Sequence, residues 1–85
     1  MNIKTTRGFD KKYVKLQPKI KQQFQKRLVI FVANQLDQRQ RNHSLVGRYK
    51  GYRSIDITGD VRALYVVKDG TCFIFAFVGS HSQLY

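Results

Sequence analysis

The second half of this 85-residue chain contains several side chains that can move protons or bind phosphate. They are two imidazoles, two carboxylates, a guanidinium and a final phenol: His43, Asp56, Asp60, Arg62, His81 and Tyr85. Imidazole titrates near neutral pH, so it can donate or accept a proton. A guanidinium fork matches phosphate oxygens and stabilises negative charge that develops in a transition state. These residue types suit acid-base cleavage of a phosphodiester, and RNA would supply the nucleophile through its own 2′-hydroxyl.

Other chemistries find less support in the sequence. Two distant histidines and one cysteine do not have the spacing of a zinc site. The chain has neither a glycine-rich phosphate loop nor a Ser/His/Asp arrangement of familiar spacing. We therefore predict that the protein uses no metal ion and no cofactor.

The positive charge of the chain is large and unevenly distributed. The formal net charge is +11; residues 1–50 hold 13 Lys/Arg and two Asp, whereas residues 51–85 hold three of each sign. A solvated face normally mixes both signs, so this asymmetry favours a polyanionic partner, with nucleic acid ahead of a membrane. Exposed cations are the predicted RNA contacts: Lys11, Lys12, Lys15, Lys19, Arg48, Lys50 and Arg53.

Length and hydropathy predict one domain over residues 1–85. The start of the chain lacks a hydrophobic signal region, and its apolar runs are too short to span a bilayer. We expect a cytoplasmic protein without a membrane partner.

Two amphipathic helices are predicted in the first half of the chain. Phe9, Tyr13 and Leu16 recur at i, i+4 and i+7, which is a helical stripe. A second helix begins at Pro18, because proline is tolerated in a first turn and breaks a helix interior. Its buried stripe is Ile20, Phe24, Leu28 and Phe31. The apolar run over residues 28–33 is expected to lie deepest in the core.

The second half predicts three strands, and Asn2–Thr5 is a candidate fourth. Asp69-Gly70 is a strong hairpin signal between the last two strands. Residues 34–44 are interpreted as a loop that delivers His43, and residues 79–85 as a short polar tail. The predicted fold is α+β, with two helices packed on one face of a mainly antiparallel sheet of three to four strands.

Strand alternation predicts where the polar side chains point. If Ile55 and Ile57 face the helices, Asp56 looks out from the uncovered face, and Arg62 can do the same. An open sheet face with convergent polar groups suits a ligand. The alternative interpretation is that Arg62 only forms a surface salt bridge with Asp60 or Asp56.

Residues 43–85 resemble the RelE/ParE superfamily of bacterial toxins, and most of all its YafQ-like and RelE/StbE-like mRNA interferase branch. The resemblance rests on H-x-L-x-G, K-G-Y-R, D-x-R-x-x-Y and G-S-H-x-x-L-Y in this order. The basic two-helix start matches in pattern only. The resemblance implies a RelE-like fold and a type II toxin. Such a toxin cleaves mRNA, usually on the ribosome, and is held inactive by a cognate acidic antitoxin.

The resemblance also implies roles for individual residues. His81 matches the acid-base histidine of the C-terminal motif, and Tyr85 matches a terminal aromatic near the substrate base. Arg62 matches a strand arginine that contacts the scissile phosphate. His43 matches a histidine implicated in activity, and Asp60 an acidic site residue.

The chain departs from the family pattern at two positions. YafQ-like toxins have an acidic residue and a histidine where this chain has Ser54 and Asp56. Three candidates for the general base therefore remain, namely Asp56, Asp60 and His43.

Two other functions remain as alternatives. A ParE-like toxin that binds DNA gyrase and cleaves nothing would share the fold, but it has no need of the His81 and Tyr85 ending. A plain basic RNA-binding module would explain the charge without explaining that ending.

Overall fold

The computed structural model describes all residues from 1 to 85. The strands are β1 Asn2–Thr5, β2 His43–Ser44, β3 Arg53–Asp56, β4 Val61–Lys68 and β5 Cys72–Ser80. The α-helices are α1 Arg7–Tyr13, α2 Pro18–Ala33 and α3 His81–Leu84. Two short 3₁₀-helices, Gln38–Gln40 and Gly47–Tyr49, flank β2. None of the helices has the length and apolar character needed to cross a membrane.

The strands form one sheet in the order β1-β5-β4-β3-β2, in which β1 runs parallel to β5 and the other pairs are antiparallel. The predicted α+β class is confirmed, but the sheet has five strands rather than three to four. The additional strand is β2, which lies at the end of the predicted loop over residues 34–44. Two residues show no alternation of apolar and polar side chains, so hydrophobic pattern does not reveal such a strand.

The β4–β5 hairpin turns where the sequence predicts. Asp69 and Gly70 both have positive φ, 57° and 70°, as a tight turn of this kind requires. Further along, Leu64 pairs with Phe77 but Tyr65 pairs with Phe75, so Ala76 has no partner. This β-bulge reverses the alternation of β5, and Val78 returns to the helix-covered face while Phe77 lies on the opposite one.

Helices α1 and α2 cover one face of the sheet and form the main core with it. Phe24 and Phe31 of α2 are buried there, which confirms the predicted stripe. The run over residues 28–33 does not lie deepest, because Val29 and Val32 are 73% and 55% exposed. A helix that rests on a single sheet buries only one side, and nothing covers the other side of α2.

A smaller cluster lies on the opposite face of the sheet. It consists of Tyr49, Leu64 and Leu84, with Leu45 and Tyr52 packed against it. Leu84 belongs to α3, so the predicted polar tail is in fact a helical turn held down by an apolar anchor. This cluster places α3 beside β4 at the end of the sheet.

Candidate active site

A cavity of about 390 Å³ opens on the sheet face that carries the smaller cluster. Five of the six predicted chemical residues line it: His43, Asp56, Arg62, His81 and Tyr85. The other lining residues are Arg41, Ser44, Leu45 and Val46. They come from β2, β3, β4, α3 and the segments beside them. The predicted convergence on this face is therefore present in the structure.

Asp56 and Arg62 form the floor of the cavity as a cross-strand pair. They are directly opposite in the β3–β4 register, and Arg62 Nε lies 2.9 Å from Asp56 Oδ1. Their side chains are only 11% and 15% exposed. As predicted, Ile55 and Ile57 lie in the helix-covered core and Asp56 looks out from the other face of the sheet, where two arginines cover its carboxylate.

Arg62 is held by more than its carboxylate. Its Nη1 donates to the backbone carbonyls of Gly59 at 3.0 Å and Thr58 at 3.4 Å. Of the two salt-bridge partners that the sequence suggested for Arg62, Asp56 is the one observed and Asp60 is not. The Arg62–Asp56 pair is mostly buried rather than on the surface. Arg62 Nη2 has no hydrogen-bond partner within the chain, so its two N–H groups remain for a phosphate oxygen.

Arg41 is a site residue that sequence reasoning missed. It ends the first 3₁₀-helix in the left-handed conformation, with φ of 50° and ψ of 46°. Its Nε lies 3.5 Å from Asp56 Oδ2, and its side chain is 75% exposed. The sequence contained one indication that Arg41 belongs to the site, namely that it lies two residues before His43 in a basic loop. No local pattern predicts that this loop folds back over β3.

His43 lies on β2 at the rim of the cavity. Its strand pairs with β3, and His43 is opposite Ser54. Its Nδ1 lies 2.8 Å from the carbonyl oxygen of Arg41. The ring is thus attached to the same peptide segment that presents the Arg41 guanidinium.

His81 and Tyr85 are the first residue of α3 and its C-cap. Ser80 and Gln83 form a capping box, in which Ser80 Oγ accepts from Gln83 N at 3.2 Å and Ser80 N donates to Gln83 Oε1 at 2.8 Å. The His81 and Tyr85 rings have centroids 4.8 Å apart. One helical turn therefore carries the exposed imidazole and the exposed phenol together.

Asp60 does not bring its carboxylate to the site. Its side chain is exposed and does not line the cavity. Its backbone carbonyl instead accepts a hydrogen bond from His81 N at 3.0 Å. The contribution of Asp60 to the site is thus a backbone contact that fixes the start of α3.

The predicted RNA-binding cations lie outside the cavity. Those on α1, in the segment that follows it and at the start of α2 are exposed: Lys11, Lys12, Lys15 and Lys19. Lys50 is exposed too, whereas Arg53 Nε donates to Asn42 Oδ1 at 2.7 Å. Arg48 Nη2 donates to the Leu84 carbonyl at 2.9 Å, so this cation also holds the end of α3.

No group of three or more His, Cys, Asp or Glu side chains is arranged to hold a metal ion. What the cavity offers is two imidazoles, a mostly buried guanidinium and an aromatic ring. Such a set can transfer protons and bind an anion.

Known proteins share this fold over nearly the whole chain. YafQ from E. coli strain BL21(DE3) has 24% identity and a TM-score of 0.79, over 99% of this chain and 97% of that one. The YafQ toxin in the E. coli DinJ-YafQ toxin-antitoxin complex has 25% identity and a TM-score of 0.76, over 99% and 96%. A YoeB/ParE toxin from Agrobacterium tumefaciens has 16% identity and a TM-score of 0.78, over 95% and 99%.

Sequence comparison gives the family. No curated protein sequence is significantly similar to this chain. The family model described as "Bacterial toxin of type II toxin-antitoxin system, YafQ" matches residues 1–85. The predicted resemblance to YafQ-like toxins of the RelE/ParE superfamily is confirmed, and this chain belongs to the YafQ family of type II toxins.

Proposed function

We propose that this toxin is a metal-independent endoribonuclease that cleaves mRNA on the ribosome and thereby inhibits translation in the cytoplasm. The observation that carries the proposal is a single cavity lined by His43, Arg62, His81 and Tyr85. A proton donor, a proton acceptor and a phosphate-binding fork are the groups that cleavage by a 2′-hydroxyl requires. All of these side chains belong to one toxin domain over residues 1–85.

His81 is the proposed proton donor to the 5′-oxygen that leaves. Its ring is exposed at the cavity while its backbone is fixed by Asp60 and by the Ser80 cap. Arg62 binds a non-bridging phosphate oxygen through Nη2, since Nε and Nη1 already hold it in place. Tyr85, half-exposed beside His81, orients the base next to the scissile phosphate.

The proposed partners are a cognate acidic antitoxin, mRNA and ribosomal RNA. In E. coli, YafQ forms a complex with the antitoxin DinJ. This chain has a net charge of +11, and the exposed lysines of α1 and α2 extend the positive surface beyond the cavity. Binding to a polyanion such as ribosomal RNA would release counterions and weaken steeply with salt.

The test is cleavage of one mRNA by the purified protein, with and without translating ribosomes. Mapped mRNA ends that appear with ribosomes and not without them support the proposal. Cleavage of free RNA at the same rate would contradict ribosome dependence alone. Inhibition of DNA gyrase without any RNA cleavage would favour the ParE-like alternative and overturn the nuclease.

A further inference from the structure

A second cavity, of about 270 Å³, opens beside the one described above. Helix α3 contributes to both, since His81 and Tyr85 line the first cavity whereas Gln83 and Leu84 line the second. We infer that the second cavity binds an unpaired base of RNA when the scissile phosphate occupies the first. This inference rests on the proposed nuclease function and adds a separate binding site for the RNA.

Aromatic side chains form one wall of the second cavity. Tyr49 and Phe77 line it, and their ring centroids are 5.3 Å apart. Phe77 is 37% exposed, and it faces away from the main core because the neighbouring Ala76 is the unpaired residue of the β5 bulge. Exposed aromatic rings bind bases by stacking, with little dependence on sequence, because every base has a π-face.

Two polar groups at the second cavity are free to bind other parts of a nucleotide. Gln83 Oε1 accepts from Ser80 N at 2.8 Å, whereas Gln83 Nε2 has no hydrogen-bond partner within the chain. Its two N–H groups therefore remain to donate to acceptor atoms on a base edge. Lys12 of α1 also lines the cavity, is exposed and forms no salt bridge. Its ammonium group suits a phosphate of the same RNA strand.

A row of rings connects the two cavities. The centroid distances are 4.8 Å from His81 to Tyr85, 5.7 Å from Tyr85 to Tyr49 and 5.3 Å from Tyr49 to Phe77. Tyr49 is fixed in this row because its hydroxyl donates to the Leu84 carbonyl at 2.9 Å. A single strand that leaves the first cavity past Tyr85 therefore meets a further aromatic surface at once.

A protein strand is a poorer occupant of the second cavity. The edge of β5 beside it is already paired, since Thr6 N donates to the Phe75 carbonyl at 3.0 Å and Thr6 Oγ1 to the Ala76 carbonyl at 3.4 Å. A partner strand thus cannot extend the sheet through these two carbonyls. The net charge of +11 and the exposed Lys12 favour an anion, and the rings favour a partner with planar bases. Single-stranded RNA has both properties.

The first experiment measures the coupling between Phe77 and one base. An mRNA on translating ribosomes carries a single abasic nucleotide at successive positions beside the cleavage site. Single-turnover cleavage is followed at rising concentrations of the wild type and of Phe77→Leu, which keeps an apolar side chain without a ring. We expect Phe77→Leu to raise the half-saturating concentration about tenfold, with little change in the maximal rate. At one position the abasic nucleotide should do the same to the wild type and add nothing in Phe77→Leu.

The matched control is Phe77→Tyr, which keeps a stacking ring and should retain the wild-type values. Melting temperatures show whether each variant is folded. The base belongs to ribosomal RNA if no mRNA position shows coupling while Phe77→Leu still weakens binding to ribosomes that lack mRNA. Additive effects at every position, together with unchanged ribosome binding, would overturn the inference.

A second measurement is independent of cleavage. The probe is a short single-stranded RNA with 2′-methoxy groups, which has no 2′-hydroxyl to attack the phosphate. In ¹H–¹⁵N correlation spectra it should shift the side-chain amide of Gln83 and the backbone amide of Phe77, and should do so less in Phe77→Leu. Shifts confined to residues around Arg62, or no shifts at all, would contradict a base site in the second cavity.

The same spectra separate the other outcomes. If the Gln83 and Phe77 signals respond to the cognate antitoxin and not to the RNA, the second cavity is an antitoxin site and the inference is wrong. A wild type that binds the RNA at Gln83 and Phe77 but cleaves no mRNA would overturn the proposed nuclease and leave the binding site standing.

Discussion

Arg62 stabilises the fold and is also the proposed phosphate ligand, so its substitution tests both roles. Arg62→Lys keeps the charge but cannot bond Asp56, the Gly59 carbonyl and a phosphate oxygen together. We expect cleavage to fall by about 10²-fold or more. The free energy of unfolding should fall by roughly 1–3 kcal/mol, because charged hydrogen bonds are lost. Urea denaturation and single-turnover cleavage measure the two effects separately.

The structural alternative for Arg62 makes a different prediction. If Arg62 only supports the fold, Arg62→Lys should regain wild-type cleavage at a lower temperature, where the variant is fully folded. Activity that stays low in the folded variant indicates a contact with substrate.

The His81 side chain should contribute to cleavage without contributing to the stability of the fold. Its imidazole is exposed, and the hydrogen bond to Asp60 comes from the His81 backbone, which alanine retains. We predict that His81→Ala has an unchanged melting temperature and cleaves about 10²-fold more slowly or worse. Circular dichroism and mapped mRNA ends are the two measurements. A folded His81→Ala protein with wild-type rates would exclude His81 as the proton donor.

Among the elements, α3 depends on its capping box and on one apolar contact for its stability. It has four residues, and the Ser80–Gln83 capping box and the Leu84 anchor hold it. Such a short helix is marginal without tertiary contacts. The turn therefore places His81 and Tyr85 only while these contacts persist.

Ser80→Ala removes the hydroxyl that caps α3. We expect a local loss of about 1 kcal/mol, which frays one turn without unfolding the sheet. Cleavage should fall several-fold while the melting temperature barely changes, as measured by calorimetry and single-turnover assays. Ser80→Thr is the matched control because threonine can cap in the same way. Equal activity in the two variants would contradict a role for the cap.

The 3₁₀-helix before β2 has its own charged cap. Asp37 Oδ1 accepts from Arg39 Nε at 2.9 Å, and Asp37 Oδ2 accepts from Arg39 Nη2 at 2.8 Å. The Arg39 side chain, helped by the Arg39 backbone N–H, lowers the pKa of Asp37 from 3.8 to about 2. A lowered pKa in the folded state stabilises the fold above the unfolded pKa, and this contribution is lost as the pH falls through the folded pKa.

The stability difference between the wild type and Asp37→Asn should follow this shift. It should be constant above about pH 4 and shrink as the pH approaches about 2. Urea denaturation at several pH values measures it, and the effect is expected to be small because the pair is exposed at the surface. A difference that persists unchanged at pH 2 would exclude the carboxylate as its source.

For the molecule as a whole, the exposed lysines of the helical region lie outside the cavity, which gives an antitoxin two different surfaces to bind. Many exposed lysines spread an attraction over a wide surface, so no single one dominates. An acidic antitoxin segment laid over α1 and α2 would block ribosome contact. A segment that enters the cavity would instead displace the groups that bind phosphate.

Replacing several lysines with alanine in one variant distinguishes these two modes of inhibition. The triple variant Lys11→Ala/Lys12→Ala/Lys15→Ala should weaken antitoxin and ribosome binding measurably, while each single change barely does so. The control is the scattered triple variant Lys4→Ala/Lys26→Ala/Lys68→Ala, which has the same net charge. Unchanged antitoxin affinity at physiological salt, measured by calorimetric titration, would make the cavity the main antitoxin site.

Local signals were enough to predict α1, α2, the hairpin and the class of fold. Pro18 marks the start of α2, and Asp69-Gly70 adopts the positive φ values of the turn. These features depend on residues a few positions apart, so they are readable without a structure. The motifs around His43 and His81 carry the resemblance to YafQ-like toxins, and the uneven charge predicted a polyanionic partner.

The sequence also holds a local signal for α3. Ser80 and Gln83 have the spacing of a capping box, so α3 was predictable where a polar tail was expected. Strand alternation predicted the face of Asp56 and Arg62 but not their burial, since that depends on arginines from two separate segments.

The make-up of the site was decided by long-range contacts. The bulge at Ala76 sets which β5 side chains face the helices, and it depends on pairing with β4. The fold of the loop before β2 brings the Arg41 guanidinium to Asp56 and the Arg41 carbonyl to His43 Nδ1, while the turn before β4 leaves the Asp60 carboxylate outside the cavity. Sequence determined which groups are available for catalysis. Tertiary structure determined which of them share a cavity and which are occupied by ion pairs, because both depend on segments that are distant along the chain.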